Sequence, residues 1–105
     1  LGDGAGARTA WRSALREDPS YCKAHNNLGS LAMSQEEWDE AIVQLRTTLV
    51  YCPNYVHAHY GLGTIYADRR VDPQRAISHF ESLLRIDPTF SRGEEVRKRL
   101  LELTW

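Results

Sequence analysis

The sequence predicts an all-α protein in which antiparallel helix pairs repeat along the chain. Three observations carry this. A block returns on itself: Leu28-Gly29 recurs 34 positions on as Leu62-Gly63, then Ala41 as Ala76, Leu45 as Phe80 and Pro53 as Pro88. A period near 34 is the signature of a helical repeat that buries its apolar face against its neighbours. Within each block the apolar residues recur every three or four positions, the spacing of one helix face. Pro19, Pro53 and Pro88 close successive blocks, and proline cannot continue a helix.

Residues 1–21 read as the second half of a repeat. Ala7, Trp11, Ala14 and Leu15 form one apolar stripe, and Asp18-Pro19 ends it. Asp3 is the expected N-cap. Gly4 and Gly6 each cost ~1 kcal/mol against Ala inside a helix, so this start frays. Residues 22–55 form the first full repeat. A helix from Lys23 to about Ser34 turns Ala24, Leu28, Leu31 and Ala32 to one side. Its partner, Trp38 to about Tyr51, faces inward with Trp38, Ala41, Ile42, Leu45, Thr48 and Leu49. Two signals compete for the turn between them. Ser34-Gln35-Glu36-Glu37 has the form of a capping box, whereas the repeat register puts the turn at Glu36, where glycine would be easiest.

Residues 56–90 form the second repeat. Its first helix, Val56 to about Arg69, carries Ala58, Leu62, Ile65 and Tyr66, and its second, Pro73–Ile86, buries Ala76, Ile77, Phe80, Leu83 and Leu84. Asp72-Pro73 is an N-cap followed by proline at the first helical position. This block is one residue longer, and the extra residue falls in 68–72. Residues 91–105 supply a last amphipathic helix, Ser91 to about Leu103. Val96, Leu100 and Leu103 line its seam, so it caps an end that would otherwise aggregate. The four segments make one domain.

Composition sets bounds on function. The 105 residues carry 13 basic and 14 acidic side chains, a formal net charge of −1. Nucleic-acid binders show a basic field, and none is present here. No apolar run approaches the ~20 residues of a membrane span. Leu1 leads into LGDGAGA with neither a basic start nor an apolar core, so no signal peptide is read. The missing initiator Met predicts a fragment of a longer chain. Two cysteines make no disulfide framework, which sets a reducing compartment, the cytoplasm, as the expectation.

At this point the chain resembles the tetratricopeptide repeat family. That pattern sets an aromatic before Leu-Gly, a second aromatic after it, then Ala-x3-Phe and a closing Pro. Residues 56–90 give His59-x2-Leu62-Gly63-x2-Tyr66, Ala76-x3-Phe80 and Pro88. Residues 22–55 give His25-x2-Leu28-Gly29-x2-Ala32, Ala41-x3-Leu45 and Pro53, and residues 1–21 give Ala7-x3-Trp11 and Pro19. His25 and His59 replace a large aromatic, and Ala32 replaces a tyrosine. The resemblance implies a right-handed superhelical solenoid of about two and a half repeats plus a capping helix. The small residues have a steric role: Gly29 and Gly63, with Ala41 and Ala76, let paired helices approach closely.

The resemblance further implies a concave groove lined by the first helix of each pair. By position it presents Lys23, Asn26, Asn27, Ser30 and Ser34, then His57, Tyr60, Gly61, Thr64 and Asp68, then Arg92, Glu95 and Arg99. Asn27 stands where related arrays hold a ligand backbone by donating and accepting at once, but the following repeat has Gly61 there. Tyr60 is the better anchor by residue type. Some members clamp the terminal carboxylate of a chaperone tail. Here Asn26 replaces the lysine and Gly61 the asparagine that such a clamp needs, leaving Lys23, Arg92 and Arg99 as weak support for an acidic tail.

Chemistry of its own is not expected. Cys22-x2-His25 and Cys52-x4-His57-x-His59 hold zinc-type ligands near one end of the helices, yet His25 and His59 occupy core-facing repeat positions. Packed histidines and buried thiols are therefore the expectation, with no metal. A Cys22–Cys52 disulfide is geometrically conceivable, because both lie at the same end of one hairpin. No nucleophile–base set or isolated carboxylate pair stands at recognisable spacing. Gly-x-Gly near the start lacks the strand and Lys-Ser/Thr of a phosphate loop. The expected function is thus a non-catalytic scaffold, without cofactor, that binds a protein or peptide segment in its groove. The alternative is self-assembly through Ala7 and Trp11, with Trp105 contributing at the other end, or coverage of that patch by flanking repeats.

Overall fold

A computed structural model describes residues 3–104, with side chains from residue 5 onward. Six helices, and no strand among the described residues, follow in order: α1 (Asp3–Glu17), α2 (Cys22–Ser34), α3 (Trp38–Tyr51), α4 (Val56–Asp68), α5 (Pro73–Ile86) and α6 (Gly93–Thr104). They fall into two compact units, Leu1–Tyr55 and Val56–Trp105. The expected cap at Asp3 and the contribution of Trp105 lie outside the described side chains. No helix among the described residues is long and apolar enough to cross a membrane.

In the first unit α1 packs on α2 and α2 on α3. Ala24, Leu28 and Ala32 of α2 meet Ala41, Leu45 and Thr48 of α3, all buried. Thr48 enters this core because its hydroxyl donates to Gln44 O at 2.9 Å, which satisfies the polar atom within its own helix. Gly29 sits where a Cβ would lie 2.8 Å from Leu45 Cγ, so the absence of a side chain is what lets α2 and α3 close.

The second unit repeats this plan. Ala58, Leu62, Ile65 and Tyr66 of α4 meet Ala76, Phe80 and Leu83 of α5, and α6 adds Val96. A Cβ on Gly63 would lie 2.5 Å from Phe80 Cε1. Burying one side chain of this size contributes about 1.5–3 kcal/mol, and Phe80 is only 1% exposed.

The turns inside the helix pairs show the repeat most plainly. Glu36 and Val71 stand at equivalent positions, and both adopt left-handed backbone, with φ of 59° and 48°. Register rather than capping chemistry therefore sets the first turn. Ser34 closes α2 and donates back to Leu31 O at 2.6 Å, and no side chain caps α3, so the capping box does not form. In the second turn Asp72 caps α5 by accepting from Arg75 N at 3.3 Å. The extra residue is absorbed just after α4, where Arg69 and Arg70 both donate to Ile65 O. Helix α6 starts at Gly93, two residues later than the sequence suggests. Gly93 N donates to Phe90 O at 2.8 Å, a turn that holds Ser91 and Arg92 outside the helix.

Candidate functional site

Helix geometry places His57, Tyr60, Thr64 and Asp68 along one face of α4, and Arg92, Glu95 and Arg99 along the start and one face of α6. The structure joins these two rows within the second unit. Tyr60 Oη donates to Glu95 Oε2 at 2.7 Å and accepts from Arg92 Nη1 at 3.3 Å. The Arg92 guanidinium also lies over the Tyr60 ring, 5.7 Å from its centroid, and 3.7 Å from Glu95 Oε1. Farther along, Arg99 forks onto both carboxylate oxygens of Asp68 and reaches over the buried ring of Phe80. Thr64 turns its hydroxyl inward to Tyr60 O at 2.9 Å.

Phe90, which the repeat pattern did not single out, completes this face. Its ring packs against His57 and Tyr60, each with centroids 5.7 Å apart. The signal available in the sequence was an aromatic two residues past Pro88, where a turn projects it back toward the preceding helices. Partial burial and the carboxylate of Glu95 push the Tyr60 hydroxyl above its ordinary pKa, so it remains a donor throughout the neutral range. Tyr60 and Glu95 push Arg92 up as well. The face carries both signs of charge, and its two expected free cations are already engaged with carboxylates. That pairing weakens the reading of an acidic-tail clamp.

In the first unit the corresponding residues lie on α2. Lys23 and Ser30 are exposed and Asn27 is half-buried. Asn26, expected on the open face, is buried at 7% exposure, and its Oδ1 has no hydrogen-bond partner. An orphaned buried acceptor costs about 1–3 kcal/mol. Gly61, at the position equivalent to Asn27, is buried in α4. The packing residues Leu28, Gly29, Ala41, Leu62, Gly63, Ala76 and Phe80 are all buried. On α1, Ala7, Trp11, Ala14 and Leu15 are half-buried. Beside α1, Arg8, Arg12, Glu37 and Glu40 rim a cleft of about 200 Å³ floored by Leu28 and Ala32.

The cysteines depart from expectation. Cys22 and Cys52 form a disulfide rather than two packed thiols. Cys22 opens α2 and Cys52 follows the last residue of α3, so the fold brings them together at the end of the hairpin away from its turn. The bond occupies both sulfurs that a zinc site would need. His25 Nδ1 faces Gln44 Oε1 at 2.9 Å and its Nε2 faces Pro19 O at 2.8 Å. His59 Nδ1 faces His79 Nδ1 at 3.0 Å. Among the described residues no three His, Cys, Asp or Glu side chains gather where they could hold a metal ion.

Comparison with known families adds two matches. A family model described as tetratricopeptide repeat matches residues 1–46, and one described as TPR repeat matches residues 29–68. No curated protein matches the chain.

Proposed function

The chain belongs to the tetratricopeptide repeat family, whose repeats generally mediate protein–protein interaction, and on that premise we propose that it captures a peptide segment or partner helix on the first-helix faces of its repeats. One observation carries the reading furthest: Tyr60 is held in place from two sides, by Glu95 and Arg92, at the centre of the α4–α6 face. An aromatic anchor fixed before its partner arrives loses little rotamer freedom on binding. The mixed charge of that face suits a segment that carries both signs. In the first unit, Lys23, Asn27 and Ser30 of α2 offer the polar counterpart. The role is that of a scaffold without catalysis, which is typical of the family.

A random peptide library selected on the immobilised protein tests this. Selected peptides lose at least about tenfold in affinity on Tyr60→Ala, the scale of an anchor residue, while the melting temperature stays within a few degrees. Glu95→Gln, which keeps an acceptor for Tyr60, loses less. Equal affinity of wild type and Tyr60→Ala would move the ligand surface elsewhere.

A further inference from the structure

The Cys22–Cys52 disulfide is not required by the repeat. At the equivalent positions of α4 and α5 stand Val56 and Asp87, which cannot be linked, and that pair packs around the same glycine, alanine and large apolar residue. The turns at the two outer prolines also differ from the middle one. In Asp18-Pro19-Ser20 and Asp87-Pro88-Thr89 the aspartate Oδ1 accepts from the backbone N–H and the hydroxyl two residues on. In the middle turn Cys52 takes the aspartate's place. A local hydrogen-bonded turn is thus exchanged for a covalent link to the other helix.

The link closes the open end of α2–α3, spanning 30 residues, while the tight core of Leu28, Gly29, Ala41 and Leu45 lies farther along the helices. The turn before α2 has a second tie to α3 that needs no sulfur: His25 contacts Pro19 O and Gln44 Oε1 and stacks on Tyr51. Opening the disulfide therefore removes the covalent tie and loosens the first turn of α2 and the last of α3, while His25 and the core keep the pair together. The reduced state is also provided for. Ser20 O lies 3.5 Å and Thr48 O 3.8 Å from Cys22 Sγ, acceptors for the S–H that reduction creates.

We propose that Cys22–Cys52 is a reversible redox site that controls how firmly the start of α2 is held. Cys22 is buried and Cys52 half-buried, so the thiolate of a dithiol reductant attacks Sγ of Cys52, the more exposed residue. Cys22 leaves as a thiolate and takes a proton. The second thiol of the reductant then attacks the mixed disulfide, Cys52 leaves and is protonated, and the reductant becomes a disulfide. Two electrons and two protons have passed to the protein. Because Lys23 stands on the released turn and Asn27 follows it one turn on, the redox state sets the grip of α2 on a ligand; this last step alone rests on the binding role proposed above.

Hydrogen exchange read by mass spectrometry tests the site without any ligand. Protein oxidised with glutathione disulfide is compared with the same protein reduced by dithiothreitol, and with Cys22→Ala/Cys52→Ala. Reduction speeds exchange at least about tenfold in residues 20–26 and 48–55, leaves 56–104 unchanged, and is reversed by glutathione disulfide. The double variant exchanges like the reduced protein whatever the additive. Two thiols still titratable after glutathione disulfide overturn the proposal, as do unchanged exchange on reduction or loosening spread evenly over both units. If exchange responds while selected peptides bind both states equally, the redox site stands and the coupling to binding is lost.

Discussion

In α2–α3 the glycine of the first helix lies against Leu45, whereas in α4–α5 its counterpart lies against the ring of Phe80. The same divergence recurs at the histidine that takes the family's aromatic position. His25 meets the amide oxygen of Gln44, whose own nitrogen donates to Glu40 at 2.8 Å and so fixes the amide's orientation. His59 meets His79, the residue in the register of Gln44, with the two Nδ1 atoms facing each other 3.0 Å apart, one donating and the other accepting. One pair is closed by a disulfide; the other has none at that position. What the two share is size and register, small against large at the helix crossing. Charge, hydrogen bonding and covalent linkage vary around that crossing because the close approach of the helices does not depend on them.

Filling the two glycines separates the helix pairs most strongly. Gly63→Ala pushes a methyl group into a planar ring inside a full core and costs about 2 kcal/mol, within the usual range for overpacking. Gly29→Ala meets a leucine side chain at a slightly longer 2.8 Å rather than a rigid ring, and since the better helix propensity of alanine acts at both sites, it costs less, about 1 kcal/mol. Gly63→Leu exceeds both. Denaturant midpoints of the three variants check the order, and equal costs at the two sites would show that the partner's shape does not matter.

The two left-handed turn residues differ by less. Val71 holds a β-branched side chain in left-handed backbone, a conformation costing about 1–2 kcal/mol for non-glycine residues. Glycine removes that strain but adds freedom to the unfolded chain. Val71→Gly therefore stabilises by about 0.5–1 kcal/mol. Glu36→Gly follows with a smaller gain, since Glu is not β-branched, and thermal melts order the two.

The smallest effect separates the helix starts. Asp72 caps α5, whereas Glu37 at the start of α3 makes no side-chain cap. Hydrogen bonds from Arg75 hold the Asp72 carboxyl below the ordinary aspartate pKa, and those from Ser20 do the same for Asp18. A lowered folded pKa gives stability that is complete above the unfolded value and lost as pH falls through the folded one. Acidification below about pH 4, where aspartate in an unfolded chain begins to protonate, therefore weakens the start of α5. Asp72→Asn removes that part of the acid response, and melting temperature followed against pH checks it.

The register of Leu-Gly, Ala and Pro made the helix pairs legible, because close helix packing tolerates few residue types at those positions; the turn at Glu36 was one of two competing signals until the backbone decided it. The disulfide was less legible. Cys22 and Cys52 do stand at one end of a hairpin, but the small number of cysteines pointed to a reduced chain and outweighed the geometry. The burial of Asn26 was hidden because periodicity gives the direction of a side chain and not how deeply its neighbours cover it. The α4–α6 face was half visible. Arg92, Glu95 and Arg99 sit three and four residues apart, as do His57, Tyr60 and Thr64, yet their pairing depends on where α6 docks, which the repeat does not specify.

Amide chemical shifts followed by NMR during titration with a selected peptide locate the ligand surface residue by residue. The largest perturbations are expected on Tyr60, Arg92, Glu95 and their neighbours on α4 and α6, with a second set on Lys23, Asn27 and Ser30. Perturbations centred on α1, α3 or α5, with those residues unmoved, would contradict the proposed surface.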